Sequence, residues 1–193
     1  MPHIYHPVGN GVFAVDTEHV RPRLDASELS HRDTPGHALH HVCILDRATG
    51  EMFTGDTFGV SYRELDTAAG EFIFPTTSPA QFDPAQLHAS ISRLIELKPL
   101  CAYLTHFGRV GGDLDRLAAD LHADVDAFVR IARGVAGAPD RVQAMKRPLF
   151  DHLSKRLDAH GYPGDVRTRH ALLDGDVMLN AAGLDAWLAR ELA

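Results

Sequence analysis

Apolar positions change period along this chain. In the first third they fall in short runs. Residues 11–15, Gly-Val-Phe-Ala-Val, read as a short strand, and Arg21-Pro22 breaks the pattern after it. Residues 40–45 predict a second strand, residues 46–50 a turn, and residues 51–54 a returning strand. The unbroken apolar run over 42–45 predicts a strand covered on both faces.

Residues 57–82 carry no strong period and include Pro75 and Pro79, so they read as a long loop or arm. A helix then starts with Asp83 as N-cap, Pro84 in the first position and Gln86 completing a capping box. Leu87, Ile91, Leu94 and Ile95 form its apolar stripe, and Lys98-Pro99 stops it. Residues 100–104 predict a buried strand, with Thr105-His106-Phe107-Gly108 just past its end. From Asp113 the spacing turns helical. Leu114, Leu117, Leu121, Val125 and Phe128 step by three or four, with Gly134 as the stop. Val142, Met145, Leu149, Leu153 and Leu157 repeat the pattern, with a kink or break expected at Pro148. Leu184, Trp187, Leu188 and Leu192 mark a last helix.

Composition narrows the class. The chain has 193 residues, 45% hydrophobic and 23% charged, an ordinary globular balance. No apolar run approaches the roughly 20 residues of a membrane span. A net charge of −7 and no Lys/Arg cluster argue against nucleic acid. No secretory signal is visible, so a cytoplasmic location is the default expectation. Cys43 and Cys101 are too few for a disulfide scaffold and fall in predicted strands as small core residues. No Gly-x-Gly-x-x-Gly follows a strand and no P-loop is present. Thirteen histidines are the unusual feature and direct attention to metal.

Three short motifs put metal-type ligands at turns beside predicted strands. They are Thr34-Pro35-Gly36-His37, followed by His40 and His41; Phe53-Thr54-Gly55-Asp56; and Leu104-Thr105-His106-Phe107-Gly108. Neutral imidazole suits zinc, iron or manganese, and one carboxylate can bridge two cations. Two such ions lower the pKa of a bound water and clamp the attacking and leaving oxygens, so a hydrolase needs no serine or cysteine nucleophile. His40 and His41 read as one core-facing imidazole with a satisfied hydrogen bond and one neighbour supporting His37. His88, His122, His152, His160 and His170 read as solvated histidines on or near helices. His3, His6, His19 and His31 form an alternative metal cluster of low weight. Phe58, Ser61 and Tyr62 read equally as pocket lining or loop packing.

In this order the three motifs resemble the metallo-beta-lactamase superfamily of metal-dependent hydrolases. The resemblance covers roughly residues 25–110 and implies His37, Asp56 and His106 as metal ligands, with Asp56 between two ions. It implies an α/β fold, a partial αββα metallo-beta-lactamase-type sandwich, over residues 1–112, and a helical C-terminal extension over 113–193. Residues 179–187 also resemble the helical extension of some bacterial members. The implied function is metal-dependent hydrolysis of a small-molecule ester, lactone, thioester or similar bond. Two zinc ions are the default, with iron or manganese as alternatives.

The departure from the family is as informative as the match. The family's first motif, His-x-His-x-Asp-His, supplies most ligands of both metals. No two histidines here lie two residues apart, and residues 1–33 hold no Asp-His pair. The expectation is a chain corresponding to the C-terminal half or two thirds of such a protein. Weak or partial metal occupancy and little hydrolysis follow, with an uncovered apolar face on strand 40–45 that favours self-association or a complementing N-terminal half. The rival class is a non-catalytic, degenerate member acting as a binding or interaction module.

Overall fold

The computed structural model describes residues 5–8, 12–15, 29–77, 81–106 and 108–193, with the side chains of 5–8, 12–15, Leu29 and His31 left aside. His3 and His19, Arg21-Pro22 and Phe107 lie outside the described residues, as do the side chains of His6 and His31.

Strands β1 (Tyr5–Val8) and β2 (Val12–Val15) pair antiparallel as a two-stranded sheet. A second, five-stranded sheet has the order β3 (Leu29–Asp33), β4 (Val42–Asp46), β5 (Glu51–Gly55), β6 (Cys101–Leu104), β7 (Arg109–Val110). Neighbours are antiparallel except β5 and β6, which run parallel. Helix α1 (Pro84–Glu96) lies in the crossover between those two strands, the connection that parallel pairing requires. Helices α2 (Leu114–Gly134), α3 (Arg141–Ala159) and α4 (Val166–Glu191) complete the chain. The result is the mixed α/β class that the resemblance implied.

Helix α1 begins where the sequence placed it. The Asp83 carboxylate accepts the Gln86 backbone N–H at 3.0 Å, a cap worth about 1 kcal/mol. The capping box closes differently from expectation. The Gln86 amide donates to the Asp83 carboxylate at 2.8 Å, because the Asp83 backbone N–H is already given to the Gly36 carbonyl. Leu87, Ile91 and Leu94 are buried, each contributing about 1.5–3 kcal/mol relative to exposure. They share one core cluster with Cys43, Met52, Ala102 and Val110, and it includes residues of α2 and α3 and Leu184, Trp187 and Leu188 of α4.

The structure decides between alternatives that the sequence left open. Strand β4 is covered on one face only among the described residues: Cys43 is buried, whereas Val42 and Ile44 are 45% and 38% exposed. Residues 57–77 are no free arm. Phe58, Val60, Leu65, Phe72, Ile73 and Phe74 are all buried, and a bridge between Val60 and Phe74 ties the segment to itself. Ser61, with its hydroxyl on the Phe72 carbonyl, and Phe58 are packing residues. Helix α3 runs through Pro148 without a break.

The helical histidines are also engaged rather than simply solvated. His152 bonds the fully buried Asp124 at 2.7 Å, His160 bonds the Gly70 carbonyl, His170 stacks on Phe150, and His88 stacks on His122. Both cysteines are buried and free, as expected; burial pushes the Cys43 thiol up to about 11. Among the described residues no helix is long and apolar enough to cross a membrane.

Candidate metal centre

Strand polarity gathers the three motifs at one edge of the five-stranded sheet. β5 and β6 are parallel, so the turns after them, carrying Asp56 and His106, leave on the same side. β4 runs antiparallel to β5, so its start lies there too, and the loop leading into it carries His37. A register irregularity between Phe53 and Gly55 re-aims the end of β5, a common device beside functional sites. Gly55 itself has φ 52°, a conformation that side chains with a Cβ rarely adopt.

The three side chains meet around one carboxylate. His37 Nε2 lies 3.5 Å from Asp56 Oδ2, and His106 Nε2 lies 3.7 Å from Asp56 Oδ1. Each imidazole thus faces a different oxygen. Both distances exceed the hydrogen-bonding range. Two donors bound to one tetrahedral zinc at about 2.0–2.1 Å lie about 3.3 Å apart, close to both separations. Asp56 Oδ1 is buried and has no hydrogen-bond partner among the described residues, an arrangement costly for a carboxylate unless a cation serves it.

The histidine tautomer agrees with a ligand role. His37 Nδ1 lies 3.2 Å from the Thr76 carbonyl, which can only accept, so Nδ1 carries the proton and Nε2 keeps its lone pair toward Asp56. Thr76 is held in turn by α4: the Asn180 side chain accepts the Thr77 N–H at 2.7 Å and donates to the Pro75 carbonyl at 3.2 Å. Sequence reading missed this support, because an asparagine inside a helix carries no signal of its partner.

His41 turns both ring nitrogens to protein groups. Its Nε2 accepts the Asp56 backbone N–H at 3.2 Å, and its Nδ1 lies 2.9 Å from Thr57 Oγ1 and 3.0 Å from Thr34 Oγ1. Burial, and then the neighbouring His37, hold its pKa below the ordinary histidine value. It is the imidazole with satisfied hydrogen bonds, while His40 is exposed. Each half of the Asp56 carboxylate therefore has one imidazole beside it. Among the described residues no group of three or more His, Cys, Asp or Glu side chains is arranged to hold one ion.

Tyr62 belongs to the same neighbourhood. Its hydroxyl donates to Asp176 Oδ2 of α4 at 2.6 Å. Burial raises the Asp176 carboxyl, opposed by Tyr62 and by the nearby His106. Burial and this carboxylate push the Tyr62 phenol upward. Asp176 was not singled out in the sequence, where it reads as one more polar helix position.

No family model matches the chain. A stretch of 77 residues, 40% of the chain, is 36% identical to the metallo-beta-lactamase fold-containing protein ST1585 of Sulfurisphaera tokodaii. That stretch resembles a metallo-beta-lactamase fold protein. The match spans only 26% of that relative's length. Two solved superfamily structures are also similar. The archaeal ST1585 from Sulfolobus tokodaii gives a TM-score of 0.46 at 21% identity, over 81% of this chain and 45% of that one. The metallo-beta-lactamase family protein TTHA1429 from Thermus thermophilus gives 0.49 at 19% identity, over 86% and 45%. The chain thus spans less than half of each superfamily structure.

Proposed function

We propose that His37, Asp56 and His106 form the shared part of a two-cation hydrolytic centre acting on small-molecule esters, lactones, thioesters or similar bonds. The observation that carries this reading is one carboxylate with a different imidazole facing each of its oxygens, one of those oxygens buried without a hydrogen bond among the described residues. His37 and Asp56 Oδ2 would serve one divalent cation, and His106 and Asp56 Oδ1 the other. Cations held there, zinc by default and iron or manganese as alternatives, supply the acidity that makes water a nucleophile at neutral pH. The chain's own residues do the holding. The Thr76 carbonyl fixes the His37 proton on Nδ1, and Asp56 keeps both oxygens turned toward imidazoles.

Occupancy is weak in this reading. Zinc sites normally use three or four protein donors, whereas each half here offers two among the described residues. The same shortage favours a second reading, a non-catalytic binding or interaction module built on the fold.

Equilibrium dialysis against zinc, alongside an Asp56→Ala variant, tests the centre. Weak uptake that vanishes in the variant supports it; uptake equal in both chains refutes it. A panel of ester, lactone and thioester substrates with added zinc separates the two readings. Zinc-dependent turnover lost in the variant supports the hydrolase, and its absence in a zinc-loaded chain supports the module.

A further inference from the structure

The His37 loop and the Asp56 turn are joined by a side chain that donates nothing to a cation. His41 Nε2 accepts the Asp56 backbone N–H, so its proton resides on Nδ1. There it meets Thr57 Oγ1 at 2.9 Å and Thr34 Oγ1 at 3.0 Å. The Thr57 hydroxyl gives its own hydrogen to the Thr34 carbonyl at 3.2 Å, leaving an oxygen lone pair for His41. Both ring nitrogens are therefore engaged inside the protein.

The ring is also pressed on the backbone it holds. A Cβ at Gly55 would fall 2.4 Å from His41 Nε2, so this approach exists only because residue 55 is glycine. The His41 main chain closes the other loop, its carbonyl accepting the Thr34 N–H at 2.8 Å. His37 lies inside that closed loop, with its ring edge-on to His41 at 5.9 Å. One residue thus closes the loop bearing an imidazole ligand and grips the turn bearing the carboxylate.

We infer that His41 is a positioning residue that sets the spacing between His37 and Asp56, and that cation affinity depends on it although it is no ligand. The inference rests on the centre proposed above. Partners of this kind change metal affinity by about 10–100-fold when removed.

The test compares His41→Leu, which removes both hydrogen bonds, with His41→Gln, whose side-chain oxygen can reach the place of Nε2 and accept from the Asp56 amide. Two readouts apply to chains whose fold is verified by circular dichroism. Hydrogen exchange of the Asp56 backbone amide, followed by NMR without metal, reads the grip alone. Cobalt(II) titration, followed by its visible absorption bands, reads the consequence for the centre. His41→Leu is expected to speed Asp56 exchange and weaken cobalt binding by about tenfold or more, with His41→Gln restoring most of both. Unchanged exchange and unchanged cobalt affinity in His41→Leu overturn the inference, as does failure of His41→Gln to restore either. If His41→Leu does not fold, Thr57→Val, which deletes the hydroxyl facing Nδ1, is read in the same way. A wild-type chain that takes up no cobalt sinks the proposed centre instead, and the exchange comparison alone then decides whether His41 holds the Asp56 turn.

Discussion

The Asn180 side chain of the last helix accepts the backbone N–H of Thr77 at 2.7 Å, and the Thr77 hydroxyl returns a hydrogen bond to the Asn180 carbonyl at 3.0 Å. This buried exchange clamps the segment whose Thr76 carbonyl orients His37. The helix comes this close because Gly183 has no side chain: a Cβ there would fall 2.2 Å from the Thr77 carbonyl oxygen. Gly183→Ala should therefore separate helix and segment at a cost of about 1–3 kcal/mol, the usual range for overpacking. Urea denaturation reads the stability loss. A variant as stable as the wild type would show that the contact yields freely.

Asp56→Ala should affect the metal-free and metal-loaded chains differently. It removes a carboxylate with a buried, unpartnered oxygen, so melting without metal should stay level or rise. Zinc at about 100 times its Kd should stabilise the wild type by about 2.7 kcal/mol and the variant by nothing. Thermal melts with and without zinc check both halves of this expectation.

Asp124 is fully buried between α2 and α3, where its carboxylate accepts from both His152 and Arg156. Arg156 also donates to the Ile73 carbonyl, lies over the Phe72 ring, and pairs with Asp120 at 3.0 Å. Breaking such a pair from one side typically costs about 3–5 kcal/mol. Asp124→Ala should fall in the lower part of that range, because Asp120 still serves Arg156. Chemical denaturation of Asp124→Ala beside Asp120→Ala would test the ranking, with the Asp124 change expected to be the larger.

Acid should weaken the fold through two carboxylates held below their ordinary pKa values. Burial opposes ionisation of Glu71, but the backbone N–H groups of Gly111 and Gly112 outweigh it. At Asp83 burial is likewise overcome by the amide and side chain of Gln86. In the unfolded chain these groups titrate at about 4.3 and 3.9. Each contribution is complete above its unfolded value and is lost as pH falls through the lower folded one. Melting temperature should drop on acidification below about pH 4, and more gently in Glu71→Gln, which has no charge left to lose.

Strands β2, β4, β5 and β6, the start of α1 and the turns bearing His37, Asp56 and His106 were legible because each has a local signature, whereas β1, β3 and β7 were not anticipated. An apolar run, a Pro beside an Asp, or a Gly before an Asp is readable without knowing the partner. Residues 57–77 were not legible, because Phe58, Leu65, Phe72 and Phe74 reach the core through an irregular backbone that imposes no period. The apolar run over 42–45 gave no sign of which face is covered, and among the described residues Val42 and Ile44 lie exposed. Asp124 and His152 look like two polar positions on two helical faces, and only the packing of those helices joins them. At the candidate centre the three side chains were legible as types. The proton assignments at His37 and His41 depend on Thr76, Thr34 and Thr57, which the bare string of residues does not connect to them.

The parallel pairing of β5 with β6 bears on the order in which the molecule assembles. The backbone hydrogen bonds within helices α2, α3 and α4 join near neighbours in the chain, whereas bringing Asp56 beside His106 requires the whole crossover through α1 to close first. Contacts between remote positions form slowly, since the entropy of closure comes before any compensating interaction. A refolding chain should regain its helical ellipticity early and its capacity to capture a cation late.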